Sequence, residues 1–284
     1  MKVLITGNKG FVGRETQCLL ANLQHEVVGF DLMTGQDVRD YRQFFEFVKL
    51  HKPDRILHLA AIARFNEADK NPQLAFETNA LGTKNVAGVA KIFHIPVVYA
   101  STGSVYMPIT NPPPITEEFS TCGNSVYACS KKAGEMYIQE ANPHIILRYA
   151  HLYGASKHGH GLVGGFLERI KRGLAPRLYG GRQSNDFTYI KDVIEANVKA
   201  LTASWDKWNQ IYNIGTGEEL SAEKAGGIIC EITGWQGAIE TEESRAVDPE
   251  RFVFDCKKAE AMLDFKAKFS FKDGLLDMQK ELKL

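Results

Sequence analysis

Tyr127 and Lys131 stand four residues apart in Tyr127-Ala128-Cys129-Ser130-Lys131. On a helix that spacing puts both side chains on one face, one turn apart. An ammonium held beside a phenol favours the phenolate and draws the tyrosine down from about 10 toward working pH. A phenol so tuned can exchange a proton with a substrate hydroxyl. The same spacing suits an amphipathic helix with a solvated lysine, so the pair gains meaning only from what the chain places around it.

The elements before the pair read as a phosphate-binding scaffold. Lys2 to Thr6 is a buried strand, followed by Gly7-Asn8-Lys9-Gly10-Phe11-Val12-Gly13 and a helix to about Leu23. Glycines at this spacing permit a tight turn, let backbone N–H groups approach a pyrophosphate and allow close helix-to-strand packing, with the anion on the helix N-terminus. A second strand, Glu26 to Phe30, ends in Asp31. A carboxylate there hydrogen-bonds the ribose hydroxyls of an adenosine and repels a 2′-phosphate, which favours NAD over NADP; a plain capping aspartate is the alternative. Asp37-Val38, ahead of a helix from Tyr41 to His51, could contact an adenine, or Asp37 could simply start that helix. A third strand, Arg55 to Leu59, runs into Ala60-Ala61, where small residues leave room for a cofactor across the sheet edge. A long helix, Pro72 to Phe93, carries Asn79, and a fourth strand, Ile95 to Ala100, ends in Ser101-Thr102-Gly103-Ser104-Val105-Tyr106. Strands alternating with helices at this spacing predict right-handed parallel crossovers, hence a doubly wound α/β sheet with ligands at the carboxyl ends of its strands.

Composition narrows the function classes. The chain has 284 residues, enough for one large or two intimate domains. It carries 34 acidic and 34 basic residues, a formal net charge of zero that invites neither nucleic acid nor an anionic membrane. Five cysteines, Cys18, Cys122, Cys129, Cys230 and Cys256, form no Cys-x-x-Cys pair and read as reduced thiols. With neither a signal peptide nor an apolar run of spanning length, the expected location is the cytoplasm.

Gly7-x-x-Gly10-x-x-Gly13, Asp31, Asp37-Val38, His58-Leu59-Ala60-Ala61, Asn79 in Asn-Ala-Leu-Gly-Thr-Lys-Asn, Ser101 to Tyr106, Tyr127-x-x-x-Lys131 and Leu147-Arg148-Tyr149 with Tyr153-Gly154 follow one another in a familiar order. The chain resembles the extended short-chain dehydrogenase/reductases and, more narrowly, an NAD-dependent epimerase/dehydratase acting on nucleotide sugars. The resemblance implies a Rossmann-type domain over residues 1–150, to which 186–215 return, and a smaller mixed α/β substrate lobe, discontinuous, within 151–284. It implies NAD held by Gly7, Gly10, Phe11, Val12, Gly13, Asp31, Asp37, Val38, Leu59, Ala60, Ala61, Asn79, Tyr127 and Lys131. Thr102, Tyr127 and Lys131 would be catalytic: Thr102 holds the sugar oxygen, Tyr127 takes its proton, and Lys131 binds the nicotinamide ribose. Thr102, Gly103, Ala150, His151, Asn185 and Arg251 would line the substrate. A homodimer through the helices 72–93 and 125–141 is implied as well.

Several positions depart from the family. Dehydratases carry Asp-Glu after the threonine; here Gly103 and Ser104 follow, which disfavours elimination and leaves epimerisation, most simply at C4 through a keto sugar. Net sugar oxidation or keto-sugar reduction is the alternative enzyme reading, and a non-catalytic dinucleotide sensor or scaffold a third. Asn185 stands where relatives have an arginine on the nucleotide diphosphate, and His151 where many have an asparagine; Arg251 matches a second family arginine. Pro108 to Pro114 reads as a surface loop, part of a lid. The loop 155–161, with His158 and His160, reads as closing over substrate, with no metal expected. A helix from Val163 to Arg172, a strand from Arg177 to Tyr179, a returning strand in Gln210 to Gly217, a capped helix from Ser221 to Thr233 and helices near 256–263 and 271–282 complete the prediction.

Overall fold

The computed structural model describes residues 1–109, 112–141, 143–155, 161–244 and 249–282. In chain order the strands are β1 Lys2–Thr6, β2 Glu26–Phe30, β3 Arg55–His58, β4 Val97–Thr102, β5 His144–Tyr149, β6 His151–Tyr153, β7 Arg177–Tyr179, β8 Ser184–Asn185, β9 Phe187–Tyr189, β10 Gln210–Ile214, β11 Leu220–Ser221, β12 Glu240–Glu242 and β13 Arg251–Phe252. The helices are α1 Phe11–Asn22, α2 Tyr41–His51, α3 Phe65–Lys70, α4 Pro72–Phe76, α5 Thr83–Phe93, α6 Val126–Glu140, α7 Gly161–Lys171, α8 Ile190–Thr202, α9 Ala222–Thr233, α10 Lys257–Leu263 and α11 Phe271–Leu282.

Six strands form one sheet in the order β10-β5-β4-β3-β1-β2, every neighbouring pair parallel. The sheet is covered on both faces, which is why its strands read as near-continuous apolar runs. On one face α1, α8 and α10 bury Leu20, Val193, Ala196 and Leu263 against Val3, Ile5 and Leu147. On the other, α2, α5 and α6 bury Phe44, Val48, Val86, Val89 and Ile138 against Leu4, Ile56 and Ile146. The strand order reverses between β1 and β3, and that switch point opens a crevice at the carboxyl ends of the strands.

A separate apolar cluster, with Phe166, Leu178, Tyr189, Ile229 and Met278, joins α7, α9 and α11 to the short strands β7 and β9. The remaining short strands form the ladders β11-β8-β13, β12-β7 and β6-β9. The helix expected over 72–93 is present as α4, a π turn over Glu77–Gly82, and α5. Its wider turn holds Asn79 against a neighbouring loop, and at Gly82 an added Cβ would lie 2.8 Å from Val38 Cγ2.

Candidate active site

The glycine loop leaves no space to spare. Gly7 has φ +72, and a Cβ there would sit 2.8 Å from the Ala60 nitrogen, so the end of β1 presses on the residues after β3. A Cβ on Gly13 would lie 2.3 Å from the Gly7 carbonyl oxygen, so α1 packs directly on the loop. Gly10 begins α1 without a side-chain cap, and the first turn holds no acidic residue, so its N–H groups are left for an outside anion. These are the features a pyrophosphate requires. Phe11 and Val12, part-buried, pack into the two clusters beside α1. Asp31 is nearly enclosed: one oxygen accepts from the Lys9 N–H at 2.8 Å and the other caps the next turn through the Met33 N–H at 2.9 Å. Asp31 therefore caps the following turn and also ties its strand end to the glycine loop.

Asp37 is gripped by Arg39, whose Nε donates to Oδ2 at 2.9 Å, and this pairing holds its carboxyl below the usual range. Val38 is buried in the core beneath α5. Leu59, Ala60 and Ala61 are all part-exposed, with the Ala60 N–H donating to Thr6 Oγ1 at 3.2 Å. Asn79 is fully buried; it accepts from the Ile62 N–H at 2.8 Å and donates to the Ile62 carbonyl and to Ser130 Oγ, each at 3.0 Å. It thus clamps the loop after β3 to the helix of Tyr127 and Lys131.

Ser125 caps α6, accepting from the Ala128 N–H at 3.2 Å, so Tyr127 falls in the first turn and Lys131 one turn on. Tyr127 is part-exposed at the crevice, edge-on to Phe65 with centroids 5.2 Å apart. Lys131 is 3% exposed, its Nζ 4.0 Å above the Tyr99 ring. Desolvation lowers the lysine to about 7 against the opposing pull of Glu135. Desolvation also pushes the Tyr127 phenol up to about 12, with a hydrogen bond to Thr102 acting the other way. The protein alone therefore does not lower the tyrosine as the spacing predicted, because burial outweighs the hydrogen bond with Thr102. Thr102 lies at the end of β4, where its Oγ1 accepts from the Ser104 N–H at 3.2 Å. A Cβ on Gly103 would lie 2.4 Å from Phe252 Cζ and 2.7 Å from Phe254 Cζ. Two aromatic rings fill the place where a dehydratase would carry its acid.

After β5, the Ala150 N–H donates to Ile214 O at 3.0 Å, and His151 is exposed with its ring edge-on to Phe252 at 5.2 Å. Asn185 lies on β8 between β11 and β13, part-buried. Arg251 forms a fork with Glu219 at 2.7 and 2.6 Å, and that pairing holds Glu219 down at about 2. The arginine expected on a diphosphate is thus already neutralised. Most of the loop of His158 and His160 lies outside the described residues, as do residues 110–111 of the proline-rich segment.

A family profile described as "NAD dependent epimerase/dehydratase family" matches residues 3–215. The chain belongs to this family. Among relatives, the UDP-glucose 4-epimerase of Mycolicibacterium smegmatis is 28% identical over 310 residues, covering 97% of this chain and 96% of that protein. A UDP-glucose 4-epimerase of Thermotoga maritima, solved with UDP-glucose, superposes with a TM-score of 0.93 at 25% identity, over 100% of this chain and 99% of that one. The UDP-glucose 4-epimerase of Thermus thermophilus, solved with NAD, gives 0.88 at 28% identity, with the same coverage. The protein is thus an NAD-dependent enzyme of the epimerase/dehydratase type, and the tight glycine cradle fits that cofactor. Among the described residues no helix is long and apolar enough to cross a membrane.

In this epimerase/dehydratase chain the sequence reading overlooked a buried polar network beneath α6. Arg148 donates from Nε and Nη2 to the two oxygens of Glu135 at 2.9 and 2.7 Å, and from Nη1 to the Tyr106 hydroxyl at 2.8 Å. Ser101 Oγ donates to Glu135 at 2.6 Å, and Tyr106 donates to Asn213 Oδ1 at 2.8 Å. β4, β5, α6 and β10 are tied together directly below the Tyr127–Lys131 turn. Two signals were present: Glu135 lies one further turn along the Lys131 face, and Arg148 interrupts an apolar strand.

Proposed function

We propose that the protein epimerises a nucleotide-linked sugar at C4 through a transient keto sugar. The observation that carries this reading is the pairing of Thr102 and Tyr127 at the crevice, with Gly103 roofed by Phe252 and Phe254 so that no acid or base for elimination fits beside them. NAD, when bound, supplies a hydride acceptor that returns the hydride to either face of the same carbon. In this proposal the N–H groups of Phe11, Val12 and Gly13, opening α1 after Gly10, hold the pyrophosphate, Asp31 the adenosine ribose and Lys131 the nicotinamide ribose. Thr102 orients the sugar oxygen, and Tyr127 takes and later returns its proton, with Lys131 as ammonium favouring the phenolate. His151, Phe252, Ala150 and Gly103 form the wall against the sugar, while Asn185 and Arg251 border its nucleotide end. The names of the relatives support the sugar-nucleotide class.

We further propose that residues 1–150 with 186–215 act as the cofactor domain and the rest of 151–284 as the substrate lobe. Pairing of two copies through α4, α5 and α6 is part of this reading, supported by the exposed Phe76, Leu81 and Met136 on this helical layer. Light scattering at micromolar concentration should give a dimer; a monomer removes that part.

Denaturing fresh protein should release NAD, detected by mass spectrometry. The enzyme should then interconvert UDP-glucose and its C4 epimer without added cofactor and without net absorbance change in the NADH band. Stoichiometric, cofactor-consuming oxidation or reduction with no epimer formed would replace this reading by the dehydrogenase/reductase one.

A further inference from the structure

We propose that Tyr99 is the positioning residue of Lys131: its ring face, in place of a carboxylate, carries the lysine ammonium and aims it into the crevice. The inference rests on the roles given above to Lys131 and Tyr127. Among the described residues Lys131 Nζ has no ion-pair or hydrogen-bond partner, although its side chain is almost wholly buried. The near carboxylate, Glu135, is taken up by Arg148, Ser101 and, at 3.4 Å, Lys132. What does meet the ammonium is the face of Tyr99, 4.0 Å from Nζ to the ring centroid. A desolvated cation over an aromatic face is attracted by the ring's negative surface.

Tyr99 is itself held from several sides, as a residue that aims another must be. It is fully buried in β4. Its hydroxyl donates to the Lys131 carbonyl at 3.4 Å and sits where a Cβ on Gly134 would be, 2.3 Å away, so α6 is notched to admit it. His58 stacks on the ring with centroids 5.5 Å apart, itself fixed between Thr6 at 2.6 Å and Thr83 at 2.9 Å. Burial keeps that imidazole neutral, at about 3, so no second cation competes for the ring. The titratable and charged groups around the pair are therefore Glu135 with its partners Arg148 and Lys132, Tyr127 on the same helix, and neutral His58 on β3.

The consequence is a pH signature. A charged Lys131 favours the Tyr127 phenolate, so removing the ring should raise the pH at which the phenol ionises and lower the pH at which the lysine discharges. The activity profile should narrow from both sides. With the full chain and UDP-glucose as probe, Tyr99→Leu should move the acid limb of kcat/KM up by about one pH unit. Tyr99→Phe, which keeps the ring and loses the hydroxyl, should restore the wild-type limb. Progressive fluorination of the Tyr99→Phe ring, which drains its negative face with little change of shape, should move the limb upward stepwise, and this series needs no cavity in the core. A limb that stays fixed through the fluorinated series overturns the proposal, as does an equal shift in Tyr99→Phe, which would assign the effect to the hydroxyl. Tyr127→Phe and Lys131→Met test the parent reading separately. If both leave turnover intact, the reading of the site fails irrespective of Tyr99.

Discussion

The two sides of the cleft are built on different terms. The cofactor side is fixed by what its backbone cannot tolerate: at Gly7 and Gly13 the space for a Cβ is already occupied by main-chain atoms. The other side, which we propose meets the substrate, is assembled from short pieces distant in the chain, β8, β11 and β13, and held by side-chain pairs such as Arg251 with Glu219. An intolerant backbone leaves room for few sequences, whereas a paired surface can exchange partners and change its ligand. The glycine loop is accordingly intact here, while Asn185 stands where relatives have an arginine and Arg251 is paired with Glu219.

The sharpest break should come from beneath the rigid side. Arg148→Met leaves Glu135 buried without its main partner, which should cost about 3–5 kcal/mol of stability. Denaturant unfolding measures it, and a loss below about 1 kcal/mol would mean that Ser101 and Lys132 satisfy the carboxylate alone. Tyr127→Phe removes the proton-transferring oxygen with little effect on packing. Turnover should drop by roughly 10²-fold or more while NAD binding persists. Near-normal turnover with normal NAD binding would make the Tyr127–Lys131 pair a structural feature. The smallest effect is expected on the adaptable side. Because Glu219 sits at about 2, its pair with Arg251 survives across working pH and is weakened by substitution, not by titration. Glu219→Gln should release the arginine toward the substrate's diphosphate and lower KM for UDP-glucose a few-fold, with kcat little changed; an unchanged KM places Arg251 away from the nucleotide.

Much of the cofactor side was legible in the sequence because its determinants are local. Gly7 and Gly10 lie in the turn from β1 to α1 and Gly13 in the first turn of α1, and Tyr127 and Lys131 share one helical face. The partners of Asn79, Ile62 and Ser130, come from two other elements, and residue spacing alone does not disclose them. The same holds for Arg251, whose partner Glu219 lies 32 residues away. The lowering expected for Tyr127 was drawn from the cation's proximity without the desolvation that accompanies an enclosed site. Tyr99 looked like one more apolar strand residue; its contact with Lys131 depends on how α6 crosses β4.

The edge position of β10 also bears on how the chain is made. β5 ends at Tyr149, and β10, its parallel partner, begins only at Gln210. A ribosome therefore completes five strands of the sheet and then builds β6 through α8 before the sixth strand exists. Until Gln210–Ile214 emerge, the outer edge of β5 presents unpaired main-chain groups, and Tyr106 beside Arg148 lacks its acceptor on Asn213. The nascent protein passes through an interval with an open strand edge, the state most exposed to wrong pairing between chains. Placing the last strand late in the gene thus makes synthesis of β6 through α8 a precondition for completing the sheet.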